Sequence, residues 1–134
     1  MASISTTTVT GSVPLVTYEV STSHIGYFTA TISWRTNGDA TSQVFYDTVS
    51  HDTIADYAHC TRERKASVSE HNMILNKLSP STTYYYRVVS TAGGVEAVSD
   101  EYTLTTLPAP GRWGGWLAGL ILEFIYPSFL SRLW

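Results

Sequence analysis

The side chains able to ligate a metal or move a proton are few and scattered. His24, His51, His59 and His71 are the four histidines of the 134-residue chain, and Cys60 is its one cysteine. They fall in different segments, with no His-x-x-x-His or Cys-x-x-Cys pair, whereas a structural zinc site draws its ligands from such close spacings. The densest group, His51, Asp52, Asp56, His59 and Cys60, lies in a polar stretch from Val49 to Ala66 that reads as a solvated loop with a short edge strand. Nucleophilic chemistry has no better support, because neither Gly-x-Ser-x-Gly nor a Gly-rich phosphate loop occurs. The expectation is a protein without catalytic residues, metal, cofactor or small-molecule substrate. A lone cysteine also excludes an intrachain disulfide, so packing alone must hold the fold.

Composition narrows the partners further. With 43% hydrophobic and 14% charged residues the chain is too apolar to stay disordered, and its length suits one domain with a real core plus appendages. A net charge of −3 offers no field to attract a phosphate backbone, so nucleic acid is not expected as a partner. There is no Arg-Gly-Asp, and Asn37, Asn72 and Asn76 lack the Ser or Thr two positions on that N-glycosylation requires. Protein partners or self-association remain.

The elements that must position these residues are strands. Apolar residues between Pro14 and Thr106 recur with a period of two in runs rich in Val, Ile, Thr and Tyr. The pattern predicts strands at Leu15 to Val20, Tyr27 to Arg35, Thr41 to Thr48, Ser67 to Leu75, Thr83 to Thr91 and Glu96 to Thr106. Turns are expected at Asn37-Gly38-Asp39, Ser79-Pro80-Ser81 and Gly93-Gly94. With the short edge strand this makes an all-β antiparallel sandwich of about seven strands. Parity assigns Phe28, Ala30, Ile32 and Trp34 to the core, facing Val44 and Tyr46, Met73 and Leu75, and Tyr84, Tyr86 and Val88. The opposite parity puts Phe45, Tyr85, Arg87 and Val89 outward on neighbouring strands, where an aromatic and Arg patch is a candidate protein-binding face.

The block Leu78-Ser-Pro80-Ser-Thr82-Thr-Tyr84-Tyr-Tyr86-Arg-Val88 resembles the fibronectin type III family, and more specifically the amino-terminal fibronectin-like domain of purple acid phosphatases. Ile32-Ser-Trp34, Ser42-Gln-Val44-Phe-Tyr46, His71 and Tyr102-Thr-Leu104-Thr-Thr106 support the likeness, which covers most of Pro14 to Pro108. Leu78, Pro80 and Tyr84 make sense physically as a tyrosine corner, with the Tyr84 hydroxyl reaching back to the chain just upstream. Trp34 reads as a core anchor. What the resemblance implies is a structural or accessory role, since the family's metal ligands belong to a separate catalytic domain whose Gly-Asp-x-x and Gly-Asn-His-Glu type motifs are missing here.

Residues 1–12 form a Ser/Thr-rich amino end without a visible signal peptide, 13–108 the sandwich, and 109–112 a Pro-Ala-Pro-Gly type linker. Residues 113–134 depart from the family. Trp113 to Tyr126 abandons period-two alternation for a nearly unbroken apolar run that is expected to form a short helix. Residues 113–134 together have about the 20 residues that a membrane crossing needs, but Glu123 and Pro127 oppose one. A helix docking on another copy or partner is the second reading, with Gly115 and Gly119 allowing close approach, and an end without a role is the third. Trp113, Gly115, Trp116, Gly119, Leu120 and Phe124 are the candidate membrane or oligomer contacts. The functional expectation is a non-catalytic binding or spacer module outside the cell or at its surface, held by this segment. The alternative is the accessory domain of a purple acid phosphatase-like metalloenzyme without its catalytic domain.

Overall fold

The computed structural model describes residues 13–111. Seven antiparallel strands run β1 Thr17–Ser23, β2 Ala30–Asp47, β3 His59–Cys60, β4 Arg64–Leu75, β5 Thr83–Ala92, β6 Val95–Val98 and β7 Tyr102–Thr105, with one short 3-10 turn at Ile54–Asp56. One sheet is β1, β2 and β4; the other joins β2 to β3 and β5, and β5 to β6 and β7. The two sheets share β2, and the core lies between them. Ala30, Ile32 and Trp34 from the first half of β2 meet Met73 and Leu75 of β4, Val44 from its second half, Tyr84, Tyr86 and Val88 of β5, and Leu104 of β7. Each large apolar side chain buried there contributes about 1.5 to 3 kcal/mol before entropy opposes it.

Three expectations give way to the observed backbone. The segments read as separate second and third strands are one 18-residue strand, because Asn37-Gly38-Asp39 bends without turning and the register against β4 merely slips between Arg35 and Ala40. Asn37 is occupied otherwise: its side-chain oxygen accepts from Val16 N–H at 2.9 Å and its amide donates to Pro14 O at 2.8 Å. It pins the amino-terminal segment to the place where β2 changes sheets. The last expected strand is two strands, divided at Ser99, whose hydroxyl oxygen takes the Val88 N–H at 3.0 Å and donates to Asp100 O at 2.7 Å. A side chain there replaces a rung of the ladder.

Phe28 is the third correction. It is 52% exposed, since a tight turn closed by Gly26 N–H and Thr29 O at 2.8 Å precedes β2, and alternation begins only at Ala30. The hairpin between β5 and β6 turns on Gly93 and Gly94, both at positive φ, as a two-residue connection requires. The helix expected from Trp113 lies outside the described residues. Among those described, no helix is long and apolar enough to cross a membrane.

Candidate functional site

Three clusters of polar side chains are built onto this frame. The first is the corner before β5. Tyr84 is buried at its ring, and its hydroxyl accepts the Ser79 N–H at 2.8 Å. Leu78 is buried below it and Pro80 half-buried, while Thr82 donates to Pro80 O at 2.8 Å and Thr106 to Ser79 O at 2.6 Å. The corner is closed by its own hydroxyls.

The second cluster centres on buried His71, which faces Trp34 across the β2–β4 ladder and stacks on its ring at 4.9 Å and 7°. Its Nε2 lies 2.8 Å from Thr36 Oγ1, and its Nδ1 lies 2.7 Å from Ser42 Oγ. Thr36 directs its own proton to Gly38 O at 2.7 Å, so it must accept from Nε2–H, and Ser42 then donates to Nδ1. The ring is held neutral in one tautomer. Burial alone pushes its pKa below the usual histidine value, which agrees with that assignment. Trp34 Nε1–H completes the cluster by donating to buried Ser90 Oγ at 2.9 Å, tying the first sheet to the second.

The third cluster fastens the long connection between β2 and β3. Glu101, between β6 and β7, accepts from Ser50 Oγ–H at 2.5 Å, from His51 N–H at 3.0 Å and from the Tyr57 hydroxyl. Arg87 donates to Ser99 O at 2.9 Å and to His51 O at 3.2 Å, and its buried Nε has no protein partner. Asp47 holds His51 Nε2 at 2.8 Å and Ala58 N–H at 3.0 Å. Burial, then the Glu101 carboxylate, pushes the Tyr57 hydroxyl up to about 12, so it stays a donor. Burial works to raise the Glu101 pKa, but its hydrogen bonds and the Arg87 charge outweigh that and leave it below the usual carboxylate value. The bond from His51 leads in lowering Asp47.

The candidate binding face is changed by this arrangement. Arg87 is engaged by the connection that folds over it, and Val89 is only 3% exposed, where outward parity had placed it at the surface. A valine set between Gln43 and Val98, its longer or flanking partners on the neighbouring strands, is covered even on the outer side of a sheet. Phe45 and Tyr85 are half-buried. Of the polar group in the Val49 to Ala66 stretch, Asp52, Asp56, His59 and Cys60 are exposed, and only His51 enters the third cluster. Tyr46 packs against the core from its edge and stacks on His59 at 5.4 Å. Among the described residues, no group of three or more His, Cys, Asp or Glu is placed to hold a metal ion. Asp47, Tyr57 and Glu101 escape sequence reasoning because Tyr57 and Glu101 are 44 positions apart and no motif joins them.

A family model described as the purple acid phosphatase N-terminal domain matches residues 18–106. The chain belongs to that family. The match takes in all three clusters and stops short of the apolar segment, where Trp113, Gly115, Trp116, Gly119, Leu120 and Phe124 lie outside the described residues. Among solved structures, a human fibronectin type III domain from the KIAA0970 protein is similar at 16% identity and a TM-score of 0.56, over 84% of this chain and 87% of that one. A computationally redesigned β-sandwich protein is similar at 20% identity and 0.53, over 71% and 97%. The structure of PhoD is similar at 16% and 0.52, over 69% of this chain but only 19% of that one. These likenesses establish the fibronectin type III fold for this purple acid phosphatase N-terminal domain. No curated protein matches the chain significantly.

Proposed function

We propose that the chain is a non-catalytic accessory and spacer module, presented outside the cell or at its surface and held to a membrane or a neighbouring subunit through residues 113–134. One observation carries the non-catalytic part. The polar side-chain atoms of Asp47, Tyr57, Glu101 and His71, groups suited to proton transfer, are directed to one another, to the His51 ring, to hydroxyls or to the backbone. A general acid or base needs an atom free to meet substrate. The apolar run supports the anchoring part, because a surface of that kind needs cover by lipid or by protein.

Two measurements on the full-length chain test this. Incubation with a synthetic phosphate monoester and iron, zinc or manganese salts should give no hydrolysis above buffer; turnover that disappears in His51→Ala or His71→Ala would sink the non-catalytic reading. In flotation with phosphatidylcholine vesicles the chain should rise with the lipid, and a monomer that stays in the aqueous layer would sink the membrane arm.

The family match supports a second reading, an accessory domain acting beside a metallophosphatase catalytic domain. Coding sequence continuing beyond Trp134 into Gly-Asp and Gly-Asn-His-Glu type motifs would favour it over the first.

A further inference from the structure

The sandwich is open along one side, where β3 and β4 each end a sheet and pair with β2 alone. Between them lies a groove of about 480 Å³ lined by Tyr46, by Thr61 to Arg64 and by Met73 to Asn76. β2 covers one border of β4, so a side-chain donor can reach a β4 carbonyl only on the other. Arg64 does this, its guanidinium donating to Asn72 O at 3.3 Å. In an antiparallel strand each residue turns its N–H and C=O to the same border, and successive residues alternate. Ile74 therefore presents both groups on the open side, and its side chain is 58% exposed beside them.

Charge selects among the segments that could fill this border. Glu63 is engaged by Lys65 at 2.6 Å and by the Thr41 hydroxyl at 3.1 Å, and Glu70 by Arg35 at 2.6 Å. Arg62 and Arg64 line the groove, are exposed, and have no carboxylate at ion-pair distance among the described residues. The border is thus basic beside Asn72 and apolar beside Ile74. Main-chain bonds to a sheet edge hold any extended segment, and the side chains flanking it choose the sequence. Every ladder in the fold is antiparallel, the more stable pairing. An antiparallel newcomer brings its carboxyl end to Asn72, where acidic side chains meet the two arginines.

We propose that this border binds an extended segment of a partner protein, β-branched and apolar with carboxylates toward its carboxyl end, which adds as a fourth strand beside β4. This goes beyond the spacer reading and is independent of residues 113–134.

Amide exchange on the full-length chain tests it, with the synthetic peptide acetyl-Thr-Val-Thr-Val-Asp-Glu as probe. At saturation the peptide should slow exchange at Ile74 about tenfold and leave β6 and β7 unchanged. Of the two forms of the peptide N-methylated at alternate residues, one should bind about tenfold more weakly and the other equally, because only one of its borders faces β4. Ile74→Pro removes the outward N–H and spares the ladder, so it should fold and weaken binding about tenfold. Arg64→Ala should weaken binding about fivefold, and it serves alone should Ile74→Pro unfold the strand. Unslowed exchange at Ile74, equal binding of both methylated peptides, or binding that Arg64→Ala leaves unchanged would each overturn the proposal. So would slowing at Ile74 that follows protein concentration without peptide, which would identify a second copy as the occupant.

Discussion

The His71 cluster and the Glu101 cluster do similar jobs with opposite materials. The first is buried between the sheets, neutral, and made of residues on strands: Trp34, Thr36, Ser42, His71 and Ser90. The second sits at an edge, mixes Arg87 with Glu101 and Asp47 with His51, and draws half its members from a connection. Deep burial favours uncharged partners because an ion there loses its hydration, whereas a half-exposed edge lets charges remain and uses them to hold a loop. Substitutions in the first should therefore undo the whole sandwich, and those in the second should loosen one part of it.

Trp34→Ala should have the largest effect, about 3 to 5 kcal/mol, since it combines a core cavity with an unpartnered Ser90 and loss of the His71 stack. Urea unfolding measures this, and a loss under about 1 kcal/mol would remove the cluster from the centre of the fold. Arg87→Ala should cost about 1 to 3 kcal/mol by leaving the His51 and Ser99 carbonyls without their donor. Amide exchange should show that cost concentrated between Val49 and Ala58. Uniform acceleration across all strands would erase the contrast between the clusters.

Tyr84→Phe should cost about 0.5 to 1.5 kcal/mol through the orphaned Ser79 N–H, and Tyr85→Phe within about 0.5 kcal/mol, because no such bond is made by its hydroxyl among the described residues. Equal losses would mean that the corner is not held by that hydroxyl. Acid should separate the two clusters more gently. The folded pKa of His71 lies below its unfolded value of 6.5, so its contribution is complete above pH 6.5 and fades as pH falls below it toward the folded value. Asp47 and Glu101 are lowered from 3.8 and 4.5, so theirs is complete above pH 4.5 and fades only at lower pH. His71→Gln should flatten the stability profile in the upper window alone; a flattening in the lower window instead would reverse the assignment.

Strand parity made the apolar core readable in advance, Trp34 included, but not the hydroxyls around His71, and it left the Glu101 cluster dark. Trp34, Tyr84 and Tyr86 alternate with polar neighbours, so their inward direction follows from the two-residue period once strands are recognised. Parity is a statement about one strand, and it fails where something else covers or releases a face. Val89 and Arg87 point outward yet are enclosed, by flanking strands and by a connection whose path no periodicity describes. Phe28 fails for the reverse reason, the period having been extended past the true start of the strand; Gly26, a turn residue two positions earlier, was the available warning. The Asn37-Gly38-Asp39 run shows that turn chemistry can be diverted, here into clamping Pro14 and Val16.

The interruption at Ser99 bears on how many copies can safely be crowded together. A long, straight outer strand would offer an incoming chain a continuous row of donors and acceptors, and two modules side by side on a surface or in tandem would tend to zip into one sheet. Here that border is broken into two pieces of four residues, offset by a segment whose serine already occupies the β5 backbone. Neighbouring modules can thus meet along this border without fusing, whereas the 12-residue β4, paired with β2 alone, leaves the border of the other sheet open.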